Sequence, residues 1–356
     1  MDKTFEENYH AFVLKRLIFI LICVLLVLVF AAASCLIDGR DIEFLEVYRV
    51  IWRHINGATY EFGSTGYWDD YIVWNTRMPR TVMAILAGMA LAACGVAMQS
   101  IMANPLADAY TTGISSGACF GAILAIAIGF SFTSAAGEYA IVGNAFLMAL
   151  VPALIVVGLS RFMNTSPATL ILIGTAVSYL FGSLNTIVLV NVDEETLSTA
   201  YLWQIGSFEN MSWNELTVPF AVTVAGSLIL SLMSRKLNVM MTGEDEAKSM
   251  GLDVENFRTF ILVIMSLMVA AIISYTGIIG FVGLVAPHIV RMVIGSDNRF
   301  LIPASMAFGA VLLVGADLLA RIVVHPYEMP AGIILMFIGG PMFLYLIIKR
   351  RSYGGL

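Results

Sequence analysis

Charge is scarce in this chain, and so are the residues that perform chemistry. Only 12% of its 356 residues are Asp, Glu, Lys or Arg, and it holds four histidines and four cysteines. Cys23, Cys35, Cys94 and Cys119 sit in or at the ends of apolar runs without CxxC or metal-ligand spacing. They read as packed small hydrophobes and not as a disulfide framework. His10, His54, His288 and His325 are scattered and never i, i+4, so a zinc site lacks its usual spacing. No GxxxxGK[ST] loop occurs, so the chain has no ATP site of that kind, and there is no HExxH and no Ser-His-Asp-like cluster. An intramembrane enzyme, which would turn over alone, has little to rest on. The net charge of −6 gives no reason to expect nucleic acid.

What is abundant is apolar surface. The chain is 59% hydrophobic with a mean hydropathy of +0.88, more than a soluble core of this size needs, so it is a polytopic membrane protein. At roughly 20 apolar residues per span, ten spans are expected near 16–37, 80–102, 112–130, 140–161, 168–190, 216–234, 258–276, 279–295, 302–323 and 331–348. The polar segment before the first span, with no small-residue cleavage pattern after it, predicts a retained helix. With the N-terminus inside, 13 of the 19 Lys and Arg residues fall on the inner side, which favours both termini in the cytoplasm. The chain then divides into an N-terminal segment 1–15, one membrane domain 16–350 and a tail 351–356. Within the domain lie an outer loop 38–79 and an inner loop 235–257.

In the outer loop, Ile42, Leu45, Tyr48, Trp52 and Ile55 share a helical face opposite Glu43, Glu46, Arg49 and Arg53. This predicts a helix lying in the membrane interface. Tyr60, Tyr67, Trp68, Tyr71 and Trp74 fit an aromatic belt at the headgroups. Gly113, Gly117 and Gly121 form a small-residue stripe that lets helices approach closely in lipid. Gly277, Gly280 and Gly283 point to a tight turn or a crowded helix start.

The inner loop holds a polar island, Gly243-Glu-Asp-Glu-Ala-Lys-Ser-Met-Gly-Leu252, inside a stretch with seven charges in 15 residues. Thr242 and Gly243 suit a helix start, three acids follow in the first turn, and Gly251 suits the end. Ala247, Met250 and Val254 predict one apolar side. Such a segment is either a solvated loop or a surface for a soluble partner. Elsewhere, Arg77-Met-Pro-Arg80 opens one span and Asn104-Pro-Leu-Ala-Asp108 closes it. The two guanidiniums suit lipid phosphates or the carboxylates of a docking protein. Pro287 should kink its helix, and His288 beside it is read as a structural histidine before a ligand or proton carrier. Asp317 and Arg321 share one face at i, i+4, which favours a structural ion pair near the rim.

These motifs, with Gly280-Phe-Val-Gly-Leu-Val-Ala-Pro-His288 and Glu328-Met-Pro-Ala-Gly332, resemble in order and position the FecCD-type permeases. Those are the membrane subunits of ABC importers for iron–siderophore complexes, haem and cobalamin. The resemblance runs from about residue 75 to the C-terminus. It implies an all-α type II importer fold of about ten spanning helices and a dimer of permeases. It also implies two ATPase subunits that bind ATP and magnesium in place of this chain, and an extracytoplasmic binding protein. By resemblance, Gly243, Glu244, Glu246, Ala247, Met250, Gly251 and Leu252 belong to a coupling helix on the ATPase. Arg77, Arg80 and Arg321 match arginines that receive glutamates of the binding protein, and Asn104 and Leu106 match an inner gate. The second gate element, near Ser166-Pro-Ala-Thr169, matches poorly. The cargo implied is an iron–siderophore or related metal chelate, with haem or cobalamin as alternatives. An ion-coupled secondary transporter is the rival from another class; it would need ionisable groups near the bilayer middle. A passive channel would conduct with no partner at all.

Overall fold

The computed structural model describes residues 3–37, 42–133, 137–163, 166–324 and 327–352, and every regular element among them is helical. Arg40, His325 and residues 353–356 lie outside the described residues. Helix α1 (Lys3–Leu36) is followed by two short helices, α2 (Phe44–Ile55) and α3 (Thr65–Tyr71). A π-helical turn at Ile72–Arg77 leads into α4 (Met78–Ile101). A 3-10 turn at Ala109–Thr112 precedes α5 (Ile114–Ile128), α6 (Glu138–Met163), α7 (Pro167–Leu189) and α8 (Glu194–Gln204). Next come α9 (Thr217–Leu232), α10 (Ser234–Met240) and α11 (Glu244–Ser249). The chain closes with α12 (Val254–Thr276), α13 (Val282–Ile294), α14 (Asn298–Ile322) and α15 (Ala331–Ser352).

Every one of the ten expected spans meets a helix. Seven helices among the described residues are long and apolar enough to cross a membrane, and three apolar ones, Ile114–Ile128, Val282–Ile294 and Ala331–Tyr345, are shorter. At 1.5 Å per residue, α5 and α13 reach only about 20 Å, short of a hydrocarbon core about 30 Å thick. Irregular backbone supplies the remaining depth, and protein satisfies it, as lipid does not. Ile278 O accepts from the Gly206 amide at 2.9 Å and Thr276 O from the Ser207 amide at 2.8 Å. Ile279 O accepts from the Tyr110 hydroxyl at 2.9 Å, and Gly206 O from the Gly332 amide at 2.9 Å. Two irregular segments, before α9 and before α13, thus pair with each other inside the bundle.

The centre of the bundle is α4, buried along almost its whole length, with α14, α13, α12 and α9 packed around it. A bilayer offers no hydrophobic drive for helix association, so backbone proximity decides. A Cβ at Gly88 would meet the Gly309 carbonyl, and one at Gly95 would meet the backbone of Gly283. The expected stripe behaves likewise at two positions: Gly117 faces Met148 O and Gly121 faces Asn144 O on α6.

The outer segment differs in detail from its expected two-faced helix. In α2, Val47 and Val50 are buried with Cys35, Ile42 and Val73. Leu45, Tyr48, Trp52 and Ile55 stay exposed on a second face, and Glu46 takes ion pairs from Arg49 and Arg53 on a third. Three stripes fit on one short helix because the two apolar sets sit more than 100° apart at 100° per residue. The Tyr48 hydroxyl donates to Leu28 O at 2.7 Å. This ties the exposed apolar face to the exposed flank of α1, as an interfacial helix requires.

Candidate functional site

Two polar assemblies lie near opposite ends of α4, about 30 Å apart by helix rise. At one end, Arg80 of α4 meets Asp317 of α14. At the other, Ser100 of α4 accepts from Asn298 Nδ2 at the start of α14 at 2.9 Å. Asn298 in turn donates its amide to Asn238 Oδ1 of α10 at 2.8 Å, directly before the polar island.

The island is a short, fixed helix. Gly243, at φ 118°, enters α11, and Gly251, at φ 83°, leaves it; both values suit glycine and strain other residues. The Thr242 hydroxyl does not cap α11 as expected but donates to Val239 O at 2.8 Å. Glu244 pairs with Lys248 Nζ at 3.0 Å and with Arg258 Nη2 of α12 at 2.9 Å. Burial alone would raise the Glu244 carboxyl; hydrogen bonds from Arg258 and Lys248 outweigh it and hold the group below its ordinary value. A depressed folded value means these ties persist above the usual carboxylate range and weaken only as pH falls through that value. At neutral pH they are intact.

The predicted apolar side is split. Ala247 and Val254 are buried at 0% and 1%, whereas Met250 is 65% exposed. The reason is local: α11 ends at Ser249, so Met250 occupies its cap and turns out of the Ala247 row. The island therefore presents Asp245, Glu246, Lys248 and Met250 outward. Met292 and Val293, late in α13, are also exposed at 58% and 40%. Arg16 fixes the end of α13, donating from Nε to Ile294 O at 3.1 Å.

The turn after α4 is closed on itself. Asn104 Oδ1 accepts the Leu106 amide at 3.0 Å, and Ala103 is held at φ 44°. Asn104 and Leu106 are both partly exposed.

At the other end the sequence placed three arginines near a rim, and the structure buries them. Arg77, Arg80 and Arg321 are 8%, 7% and 1% exposed. Arg80 donates from Nε to both Asp317 oxygens at 3.1 Å and from Nη2 to Oδ1 at 2.9 Å. Its Nη1 reaches Glu328 Oε2 at 2.6 Å. The expected Asp317–Arg321 pair is present at 3.3 Å. Arg321 also donates from Nη1 to Ser34 O at 2.9 Å and from Nη2 to Ser34 Oγ. Arg321 is thus covered by α1 and does not stand at the rim. Sequence reasoning assigned Ser34 nothing and Glu328 no role beyond its motif. The available signal was an excess of cations at one end of the helices, which a buried bundle must balance.

The face of α7 was not anticipated. Thr175, Tyr179, Ser183 and Thr186 are exposed on it beside Leu172, Leu180, Ile187 and Val190. The Thr175, Ser183 and Thr186 hydroxyls donate to carbonyls one turn back at 2.8, 2.9 and 3.0 Å. The face is therefore uncharged, with hydroxyls interleaved among exposed aliphatic side chains. Among the described residues no cluster of His, Cys, Asp or Glu is arranged to hold a metal.

Comparison with known proteins places this geometry. The model of the FecCD transport family matches residues 17–349. The hemin transport system permease protein of Yersinia pestis is 37% identical over 281 residues, covering 79% of this chain and 84% of its own. The cobalamin import system permease protein of Halobacterium salinarum is 37% identical over 284 residues, covering 79% and 74%. A solved structure described as an inward-facing conformation of a metal-chelate type ABC transporter superposes with a TM-score of 0.77 at 30% identity. It covers 92% of this chain and 97% of its own.

Proposed function

The chain belongs to the FecCD transport family, and from that premise we propose that it is the membrane permease subunit of an ATP-binding-cassette importer for a metal chelate, in the first instance an iron–siderophore complex. The observation that carries the reading is the polar island: a solvent-exposed helix, anchored to α12 through Arg258 and Glu244, at the end of the bundle opposite the arginine cluster. In this reading the island faces the cytoplasm and seats an ATPase subunit, which binds ATP and magnesium. The arginine end faces outward and receives an extracytoplasmic binding protein. Two permease copies, like or unlike, enclose the path.

Mechanistically, this chain supplies a conduit with two arrangements and no catalysis of its own. Closure of the ATPases on ATP moves α11; because Ala247 is buried at 0% and Glu244 is paired to Arg258, the displacement passes into α12 as a rigid body. A ligand that binds the two arrangements unequally is what shifts them. The uncharged hydroxyl face of α7 suits a chelate whose own polar groups are already satisfied, and the Asn104–Leu106 turn at the island end suits an inner gate. Ion coupling finds less support: Asp317, the acid expected within a span, is already neutralised by Arg80 and Arg321. The relatives carry haem and cobalamin by name, so cargo is decided by experiment.

The test is uptake in proteoliposomes holding the assembled importer. Ferric siderophore should accumulate only with ATP inside and binding protein outside, and haem and cobalamin should not compete at equal concentration. Accumulation driven by a proton or sodium gradient without ATPase subunits would overturn the importer reading. Competition by haem or cobalamin would reassign the cargo alone.

A further inference from the structure

Glu328 stands apart from the other members of the arginine cluster. Asp317 is 2% exposed and is gripped by Arg80 and Arg321, but the Glu328 side chain is 30% exposed and bonds Arg80 through one oxygen. Asp317 projects from the interior of α14; Glu328 projects from the short connection between α14 and α15. That connection is held to α14 by the Met329 amide on Ala320 O at 3.2 Å. Glu328 also feels the charges of Arg321 and Arg77, more weakly than that of Arg80. Burial would raise the Glu328 carboxyl, but its hydrogen bond from Arg80 outweighs this and holds the group below the ordinary range. It is therefore ionised at neutral pH. The Arg80 Nη1 edge, the one edge of this guanidinium turned from Asp317, is already filled by a carboxylate on a surface loop.

We propose that Glu328 is an internal stand-in for a docking carboxylate: it occupies the Arg80 Nη1 seat in the undocked permease and is displaced when the binding protein presents its own acidic side chain. This rests on the reading that the arginine end receives the binding protein. Displacement adds a consequence. Freed from Arg80, the connection carrying Glu328 loosens at the start of α15, so docking is reported to a membrane helix three residues away. Each docking event must first break a charge-assisted bond, which lowers the affinity of capture.

The test uses the assembled importer in lipid nanodiscs and the purified, ligand-free binding protein of the same system. Glu328→Gln keeps size and removes charge, and should bind about fivefold more tightly, the scale by which a charge-assisted bond exceeds the neutral one that Gln can still accept from Arg80. Arg77→Glu, measured alongside, tests the docking site itself and should weaken capture in a salt-dependent way. In a Tyr327→Cys background, a fluorophore in the same connection, at a site 75% exposed, should change emission on docking. With Glu328→Gln it should start nearer the docked value than in the unaltered protein. Capture unchanged or weakened by Glu328→Gln, while Arg77→Glu still weakens it, would overturn the stand-in and leave the docking surface standing. Capture indifferent to Arg77→Glu would remove the docking surface and the stand-in together.

Discussion

Met250→Asp should abolish ATP-driven uptake, by tenfold or more, while leaving the amount of folded permease in the membrane unchanged. Met250 is 65% exposed in the isolated chain and accepts no role in the bundle, so its loss costs the fold little; surface changes of this kind stay within about 0.5 kcal/mol. If the island seats the ATPase as proposed, the same side chain becomes the apolar centre of an otherwise charged contact. Central apolar anchors of an interface are worth about 2 kcal/mol or more, and a buried, unpaired carboxylate in their place adds a further penalty. Stimulation of the ATPase by the binding protein should disappear together with uptake. Uptake within twofold of the unaltered protein would show that the island is a solvated loop.

The second large effect is asymmetric and lies in the arginine cluster. Asp317→Asn should collapse the yield of folded protein, whereas Arg80→Gln should be tolerated. Asp317 is the shared counter-ion of two buried guanidiniums, Arg80 and Arg321. Removing its charge takes the carboxylate at 3.3 Å from Arg321 and leaves Glu328 to Arg80, and breaking a buried ion pair costs about 3–5 kcal/mol. Removing Arg80 instead leaves Asp317 paired with Arg321 at 3.3 Å and returns Glu328 to solvent, so no buried charge is orphaned. Detergent-solubilised protein run by size-exclusion chromatography checks both: a monodisperse peak should survive Arg80→Gln and be lost or aggregated for Asp317→Asn. Equal yields would mean that the network does not hold the ends of α1, α4 and α14 together.

Much of this architecture is visible in the residue string because lipid imposes a simple rule on apolar runs. Ten such runs became ten helices, and the island became a helix between glycines at its predicted ends. The failures share a cause. The break expected at Gly277 is there, but the next helix begins at Val282 and not near 279, since Gly206 and Ser207 offer amides to the carbonyls of Ile278 and Thr276 from a segment far away in sequence. Arg80 and Asp317 are separated by 237 residues, so no local spacing reveals that they pair, and the arginines were placed nearer the surface than they are. Met250 continued the Ala247 row on paper because a helical period was carried one residue past the last helical residue. In α2, a two-faced pattern concealed a third face whose partner, Val73, lies beyond the helix.

The central claim is that the polar island faces the cytoplasm, where a nucleotide-hydrolysing partner can seat on it. The four native cysteines are all buried, so a single introduced one reports against a quiet background. With Asp245→Cys, at an exposed position of α11, a membrane-impermeant maleimide should label inside-out vesicles and leave intact cells unlabelled, and the ATPase subunit should protect the site. Labelling in intact cells would put the island outside and contradict the account.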